Sequence, residues 1–208
     1  MADFMEEGID RLPLQVLLKN TVMEVTVLLI DHVPLPLQDP NATPIGFTGV
    51  TNGYFSLSDA QLACTALGAT LTGFQNDNER MTVATLALGN LTARGGAQVA
   101  GLWLGATNLP GCRSPSCGPF NTFQWTDGHT TGVGGIKWGI GEPDGNNWPG
   151  PTACIQQFII SPNFVAGANE FAGWKGAFVN GDLDKYACVS PAYPYTRMYA
   201  CGKVGVRQ

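Results

Sequence analysis

Charged residues are scarce in this chain of 208 residues. Lys, Arg, Asp and Glu together make up 13% of it, about half of the ~25% typical of soluble domains. The 11 basic residues are scattered, and 16 acidic residues bring the net charge to −5. A nucleic-acid surface needs clustered Lys and Arg, so we do not expect nucleic acid as a partner.

Long apolar runs and a recognisable export signal are also missing. The best apolar run, from Val25 to Ile30, is much shorter than the roughly 20 residues that span a bilayer. It is also too short for the core of a signal peptide, and residues 1–10 are acidic where a signal peptide carries basic residues. We therefore expect no membrane span, and no signal peptide is evident in this chain.

Motifs of catalysis are absent as well. The chain contains no Gly-X-Ser-X-Gly, no phosphate-binding loop and no His-Glu-X-X-His. Its only histidines are His32 and His129, so residues for general acid–base chemistry are few. The sequence predicts a binding protein and not an enzyme.

Glycine and cysteine are the residues that stand out. The chain has 27 Gly and 14 Pro beside 10% aromatic residues, a composition that favours an ordered domain with long loops over disorder. An even number of cysteines, six, favours disulfides and an extracellular location; reduced core thiols are the alternative. Two sequons, Asn41-Ala42-Thr43 and Asn90-Leu91-Thr92, agree with a secreted glycoprotein.

Residues 1–44 differ in composition from the rest of the chain. They contain no Cys or Trp and end in a proline-rich stretch from Pro34 to Pro40. We expect an N-terminal extension and linker over 1–44 and one domain over 45–208. Within the extension, the β-branched content of Val25 to Ile30 predicts a strand.

Two helices are predicted early in the domain. Ser56 to Asp59 offer N-cap residues before a helix over Ala60–Leu67, with Ala60, Cys64 and Leu67 on one face and Gly68 closing it. A second helix is predicted over Asn78–Leu88, ended by Gly89-Asn90, with one apolar stripe. That stripe comprises Met81, Ala84, Thr85 and Leu88.

Short strands follow the helices, which gives an α+β fold class. The predicted strands are Gly46–Phe55, Gly101–Gly105, Phe123–Trp125, Cys154–Ile160 and Tyr199–Val206. We expect Trp103 and Trp125 in the core, whereas Trp138 and Trp148 lie on a long Gly/Pro/Asn-rich stretch and either one is a candidate for an exposed position.

Residues 45–205 resemble the C-type lectin-like domain, in the manner of divergent invertebrate members. The matching elements stand in the family's order: Ser58-Asp59-Ala60-Gln61, Cys64, Leu67-Gly68-Ala69, Trp103-Leu104-Gly105-Ala106, Trp125-Thr126-Asp127-Gly128, Trp138, Gly141-Glu142-Pro143-Asp144, Cys154, Cys188 and Tyr199-Ala200-Cys201. The resemblance implies two helices flanking a small antiparallel sheet, with a long disulfide-pinned loop region that carries the ligand site.

The resemblance also implies how the cysteines pair. It joins Cys64 to Cys201 and Cys154 to Cys188, which leaves Cys112 and Cys117 for each other. A zinc site at this last pair is the alternative, but the sequence offers no second pair of ligands for it.

Members of the family that bind sugar hold a calcium ion in the long loop, and the resemblance places that site at Glu142-Pro143-Asp144. Ca²⁺ takes about six to eight oxygen ligands. The expected calcium ligands are Glu142, Asp144, Asn180, Asp182 and Asp184. The expected carbohydrate-binding residues are Glu142, Asp144, Asn146, Asn147, Trp148 and Asn180.

The sequence departs from the family pattern at two places. The family's Glu before the cysteine matched by Cys154 is replaced by Pro151-Thr152-Ala153, and Lys185 falls where the family has an Asp. A cation at that position opposes Ca²⁺. Two interpretations therefore stay open: an extracellular carbohydrate-binding protein that recognises glycans or glycoproteins, with calcium as cofactor, and a calcium-independent module for a protein ligand.

Overall fold

The computed structural model describes residues 28–29, 56–93, 98–112, 117–144, 152–164, 178–189 and 196–202. The predicted strand Gly46–Phe55, the sequon at Asn41, and three predicted ligand residues lie outside these ranges. Those three residues are Asn146, Asn147 and Trp148. Among the described helices, none combines the length and the apolar character needed to cross a membrane.

Helix α1, Leu57–Ala66, begins three residues before the predicted Ala60 and ends one residue before the predicted Leu67, because Ser56, the first of the predicted N-cap residues, caps it. The Ser56 hydroxyl accepts a hydrogen bond from the Asp59 amide, and the Asp59 carboxylate accepts one from the Ser56 amide, which is a capping box. At the other end Gly68 has φ of 63° and completes a Schellman motif, because its amide bonds to Thr65 and that of Ala69 to Cys64.

Helix α2, Asp77–Ala93, extends past the predicted end at Gly89. The reason is packing: Leu91, one turn beyond Leu88, is buried in the core and holds the last turn in place. The predicted stripe was also partly wrong, because Thr85 is exposed and Val83, Ala84 and Ala87 are the buried residues. The second sequon, at Asn90, lies in this last part of the helix.

One sheet joins the described strands, which confirms the α+β class. The strands are β1 Leu28–Leu29, β2 Thr70–Leu71, β3 Val99–Asn108, β4 Phe123–Trp125, β5 Ala153–Ile160, β6 Leu183–Ala187 and β7 Thr196–Gly202. The order along the sheet is β1-β7-β3-β5-β6, with β2 paired to β7 and β4 paired to β3. The resemblance implied an antiparallel sheet, but the β3–β7 pair is parallel. The sheet is therefore mixed.

The strands β2 and β6 were not predicted. β6 carries Asp184 and Lys185 in its centre, and charged residues disfavour strands. Its pairing with the fully buried strand β5 overrides that preference. The predicted strand Val25 to Ile30 contains β1, which pairs with the end of β7.

Two larger apolar clusters lie on the sheet, and a smaller third one joins Phe158 and Ile160 of β5 to Phe178. The first cluster packs α2 against apolar residues of β3 and β5. The second, which we name the α1 cluster, packs α1 around Trp103, and Trp103 is fully buried as predicted. All three disulfides pair as the resemblance implied: Cys64–Cys201, Cys112–Cys117 and Cys154–Cys188. The first two of these cysteines lie in the α1 cluster, so that disulfide ties the first helix to the last strand.

Candidate functional site

The segment Lys137–Gly139 docks the predicted ligand loop onto the edge of β6. The Gly139 amide donates to the Leu183 carbonyl at 3.0 Å, and the Leu183 amide donates to the Lys137 carbonyl at 2.8 Å. Gly139 cannot be larger, because a Cβ there would clash with the ring of Phe178. The chain after Gly139 therefore emerges beside the next residues of β6.

A tight turn leads from this segment into the loop. The Glu142 amide donates to the Gly139 carbonyl at 3.1 Å, and Gly141, the third residue of the turn, has φ of 89°. Such a value is what a type II turn requires of its third residue, and glycine adopts it without steric cost. The Glu142–Pro143 peptide bond is cis, and the Asp144 amide then donates to Glu142 Oε2 at 2.9 Å.

Lys185 brings a positive charge into this loop. Its Nζ lies 2.8 Å from Asp144 Oδ1, and its side chain is 3% exposed whereas that of Asp144 is 30% exposed. Asp144 is thus the member of the pair that faces solvent. The ammonium lies behind it, shielded from water, where ion pairs are screened less than at the surface.

Asp184 and Glu142 form the inner part of the same cluster. The two carboxyl groups lie close enough for each to affect the pKa of the other, and Gln156 Nε2 donates to Asp184 Oδ2 at 3.2 Å. Burial, followed by the charge of Glu142, raises the pKa of Asp184 well above 3.8. Burial, together with the charge of Asp144, raises the pKa of Glu142 above 4.5.

We name the four residues Glu142, Asp144, Asp184 and Lys185 the carboxylate–lysine cluster. Calcium does not fit it as it stands, because the Lys185 ammonium already pairs with the carboxylate that the ion would need and would repel the ion. Within the described residues, no group of three or more His, Cys, Asp or Glu side chains is arranged to hold a metal ion.

Two of the predicted calcium ligands engage other groups. Asn180 Oδ1 accepts from the Ile160 amide at 3.0 Å, and Asp182 Oδ2 accepts from the Val179 amide at 3.0 Å. Asp182 also lies 3.2 Å from the ammonium of Lys137. Both residues therefore shape the turn that precedes β6, while Asp184 is the predicted ligand that joins Glu142 and Asp144.

The tryptophans near the loop are held by the protein's own contacts. Trp138 donates its indole N–H to the Pro119 carbonyl at 2.7 Å and packs on Phe123 with a ring separation of 5.4 Å. Trp125 donates to the Gly132 carbonyl and meets the ring of Phe74 edge-on. Trp138 is thus a partly buried packing residue, and not a free platform for a ligand.

Sequence reasoning missed Gln156 as a member of the site. Gln156 lies directly opposite Asp184 in the β5–β6 ladder and is fully buried. The two adjacent glutamines, Gln156 and Gln157, in a strand that is otherwise apolar were a visible signal, because buried amides require partners. The strand register that aims it at Asp184 was not visible in the sequence.

The comparisons with known proteins concern the fold. The structure is similar to C-type lectin-like domains. It matches the carbohydrate-recognition domain of the mouse scavenger receptor C-type lectin at 16% identity and TM-score 0.42, over 78% of this chain and 98% of that one. It matches human lithostathine at 16% identity and TM-score 0.44, over 83% of this chain and 99% of that one. A calcium-independent type II antifreeze protein matches at 17% identity and TM-score 0.43, over 79% of this chain and 95% of that one.

No family model matches the chain, and a search of curated proteins finds no match either. What the similar structures bind is a property of those proteins.

Proposed function

We propose that this chain is a carbohydrate-binding module, without enzymatic activity, that recognises its ligand at the loop Gly141–Asp144 without calcium. The observation that carries the proposal is the Lys185–Asp144 pair, in which a buried ammonium presents a partly exposed carboxylate to solvent. A carboxylate fixed in this way is a strong acceptor for neighbouring hydroxyl groups. Pairs of adjacent hydroxyls are the recurring feature of sugars.

The remaining ligand contacts in this proposal come from the residues that follow the loop. Asn146 and Asn147 supply donors and acceptors, and Trp148 supplies an aromatic face. A polar, hydroxyl-rich ligand suits such a combination of amides and one ring. The disulfide frame supports an extracellular location, where glycans and glycoproteins are the available partners.

Binding to a glycan array tests the proposal. We expect retention of defined glycans that persists in chelator. Asp144→Asn should weaken it about tenfold, because hydrogen bonds to a charged group contribute about 1.5 kcal/mol or more. Asp59→Asn is the matched control, since its amide oxygen still accepts the Ser56 amide in the capping box of α1.

Three outcomes would speak against it. Retention that chelator abolishes would favour recognition through a metal ion. Equal retention of Asp144→Asn and Asp59→Asn would mean that the glycan binds at a site other than the loop Gly141–Asp144. An array with no glycan retained would favour the other interpretation, a module for a protein ligand.

A further inference from the structure

We propose that the Lys185 ammonium is the internal cation of the ligand loop, so that the loop is formed by the chain itself and needs no metal ion. This inference rests on the proposed function only where it says that the loop formed by Lys185 binds a glycan. The structural part is independent of any ligand. Lys185 is a positioning residue in this scheme, because it acts on the loop through Asp144.

The charge pattern supports this role. The Lys185 ammonium pairs with Asp144 at 2.8 Å, and its charge also acts to lower the pKa values of the neighbouring Glu142 and Asp184. Carboxylates this close repel one another unless a cation or a proton lies between them. Lys185 supplies that cation, because its Nζ lies 2.8 Å from Asp144 Oδ1.

The position of Lys185 in the sheet fixes where its ammonium lies. Lys185 lies in the middle of β6, opposite Ile155 of the buried strand β5. Its side chain is 3% exposed, so water does not compete for its charge as it does at the surface. Removing one partner of a buried ion pair is costly because the other charge is left without compensation.

Another lysine provides a control. Lys137 Nζ lies 3.2 Å from Asp182 Oδ1, but the Lys137 side chain is 53% exposed. Both lysines pair with an aspartate and both lie next to the ligand loop. Asp182 is buried, but the Lys137 ammonium lies largely in water, which screens its charge. The same substitution should therefore cost less at Lys137 than at Lys185.

The test compares melting temperatures of Lys185→Met and Lys137→Met, which keep most of the length of the side chain and remove its charge. We expect Lys185→Met to melt on the order of 10 °C lower than the wild type. Lys137→Met should melt within about 2 °C of it. The wild type should melt at the same temperature in millimolar calcium and in chelator.

The double variant Lys185→Met/Asp144→Asn separates charge from packing. With the ammonium gone, neutralising Asp144 should cost nothing further, so the double variant should melt at or above the temperature of Lys185→Met. Additive losses, two lysine variants of equal stability, or a calcium-dependent shift in the wild type would each overturn the proposal. None of these measurements uses a glycan, so a failure here is distinguishable from a failure of the proposed function.

Discussion

At the scale of single residues, Asp127 shows how a carboxylate fixes an irregular chain. Its Oδ2 accepts from the Gly73 amide at 2.8 Å and the Thr130 hydroxyl at 2.6 Å, and its Oδ1 accepts from the His129 and Thr130 amides. Gly73 has no room for a side chain, because a Cβ would clash with Thr130. Asp127 thereby joins the chain after β2 to the loop after β4.

The stability that Asp127 contributes should depend on pH. Burial acts to raise its pKa, but the hydrogen bonds from Thr130, His129 and Gly73 outweigh burial and bring the pKa below 3.8. A lowered native pKa means stability that is present above the unfolded value, about pH 4, and is lost as pH falls through the native value.

We expect Asp127→Asn to lower the free energy of unfolding by about 2 kcal/mol at pH 7. The difference from the wild type should shrink below about pH 4, where the wild-type carboxylate becomes protonated. Urea unfolding of both proteins at several pH values measures this. A difference that stays constant down to the acid limit would contradict it.

The residue scale is also where the sequence was least informative about the site. Glu142 and Asp144 were recognisable from their motif, and Lys185 from its spacing to Cys188. The contact between Lys185 and Asp144 depends on the docking of Lys137–Gly139 against β6. No local pattern encodes that docking, because it joins residues that are distant in the chain.

At the scale of elements, local signals worked where they are strong and failed where packing competes with them. The capping box and Gly68 defined both ends of α1. Gly89 was expected to end α2 in the same way, but the buried Leu91 keeps the helix going. A glycine inside a helix is destabilising relative to alanine, so α2 contains a correctable weakness.

Gly89→Ala should therefore stabilise the protein. A Cβ at this position would meet no atom within 4 Å, and the expected gain is about 0.8 kcal/mol, or roughly 2 °C in melting temperature. Gly105→Ala is the contrasting variant, because a Cβ there would clash with the Leu71 carbonyl oxygen. Equal losses of melting temperature in both variants would contradict the prediction that Gly89 is a helical position with room for a methyl group.

At the scale of the whole molecule, the disulfides organise the fold in a way that cysteine counting alone could not establish. Six cysteines allow 15 pairings, and the resemblance to a family selected the one that the structure has. The mixed sheet could not be predicted from the sequence, because β3 and β7 pair in parallel across a separation of about 95 residues. Contacts that distant leave no periodic trace in composition or spacing.

Two of the disulfides should differ in their effects, one on the free energy of unfolding and the other on the position of β6. Cys64–Cys201 closes 137 residues and Cys154–Cys188 closes 34. The loop-entropy relation then makes the first more stabilising by about 1 kcal/mol. Cys188, however, lies directly after β6 and three residues beyond Lys185, so the second disulfide restrains the strand that carries the carboxylate–lysine cluster.

We expect the two double variants to rank in opposite orders for stability and for binding. Cys64→Ala/Cys201→Ala should unfold at lower urea concentration than Cys154→Ala/Cys188→Ala, because the longer loop gains more entropy when it is released. Retention on the glycans that the wild type selects should instead fall further in Cys154→Ala/Cys188→Ala, since Lys185 is then less firmly held against Asp144. Both pairs lose the same atoms, and only Cys188 of the four cysteines is partly rather than fully buried, so the costs of the cavities are similar. The same ranking in both measurements would mean that binding follows global stability, and that the second disulfide has no separate role in holding the site.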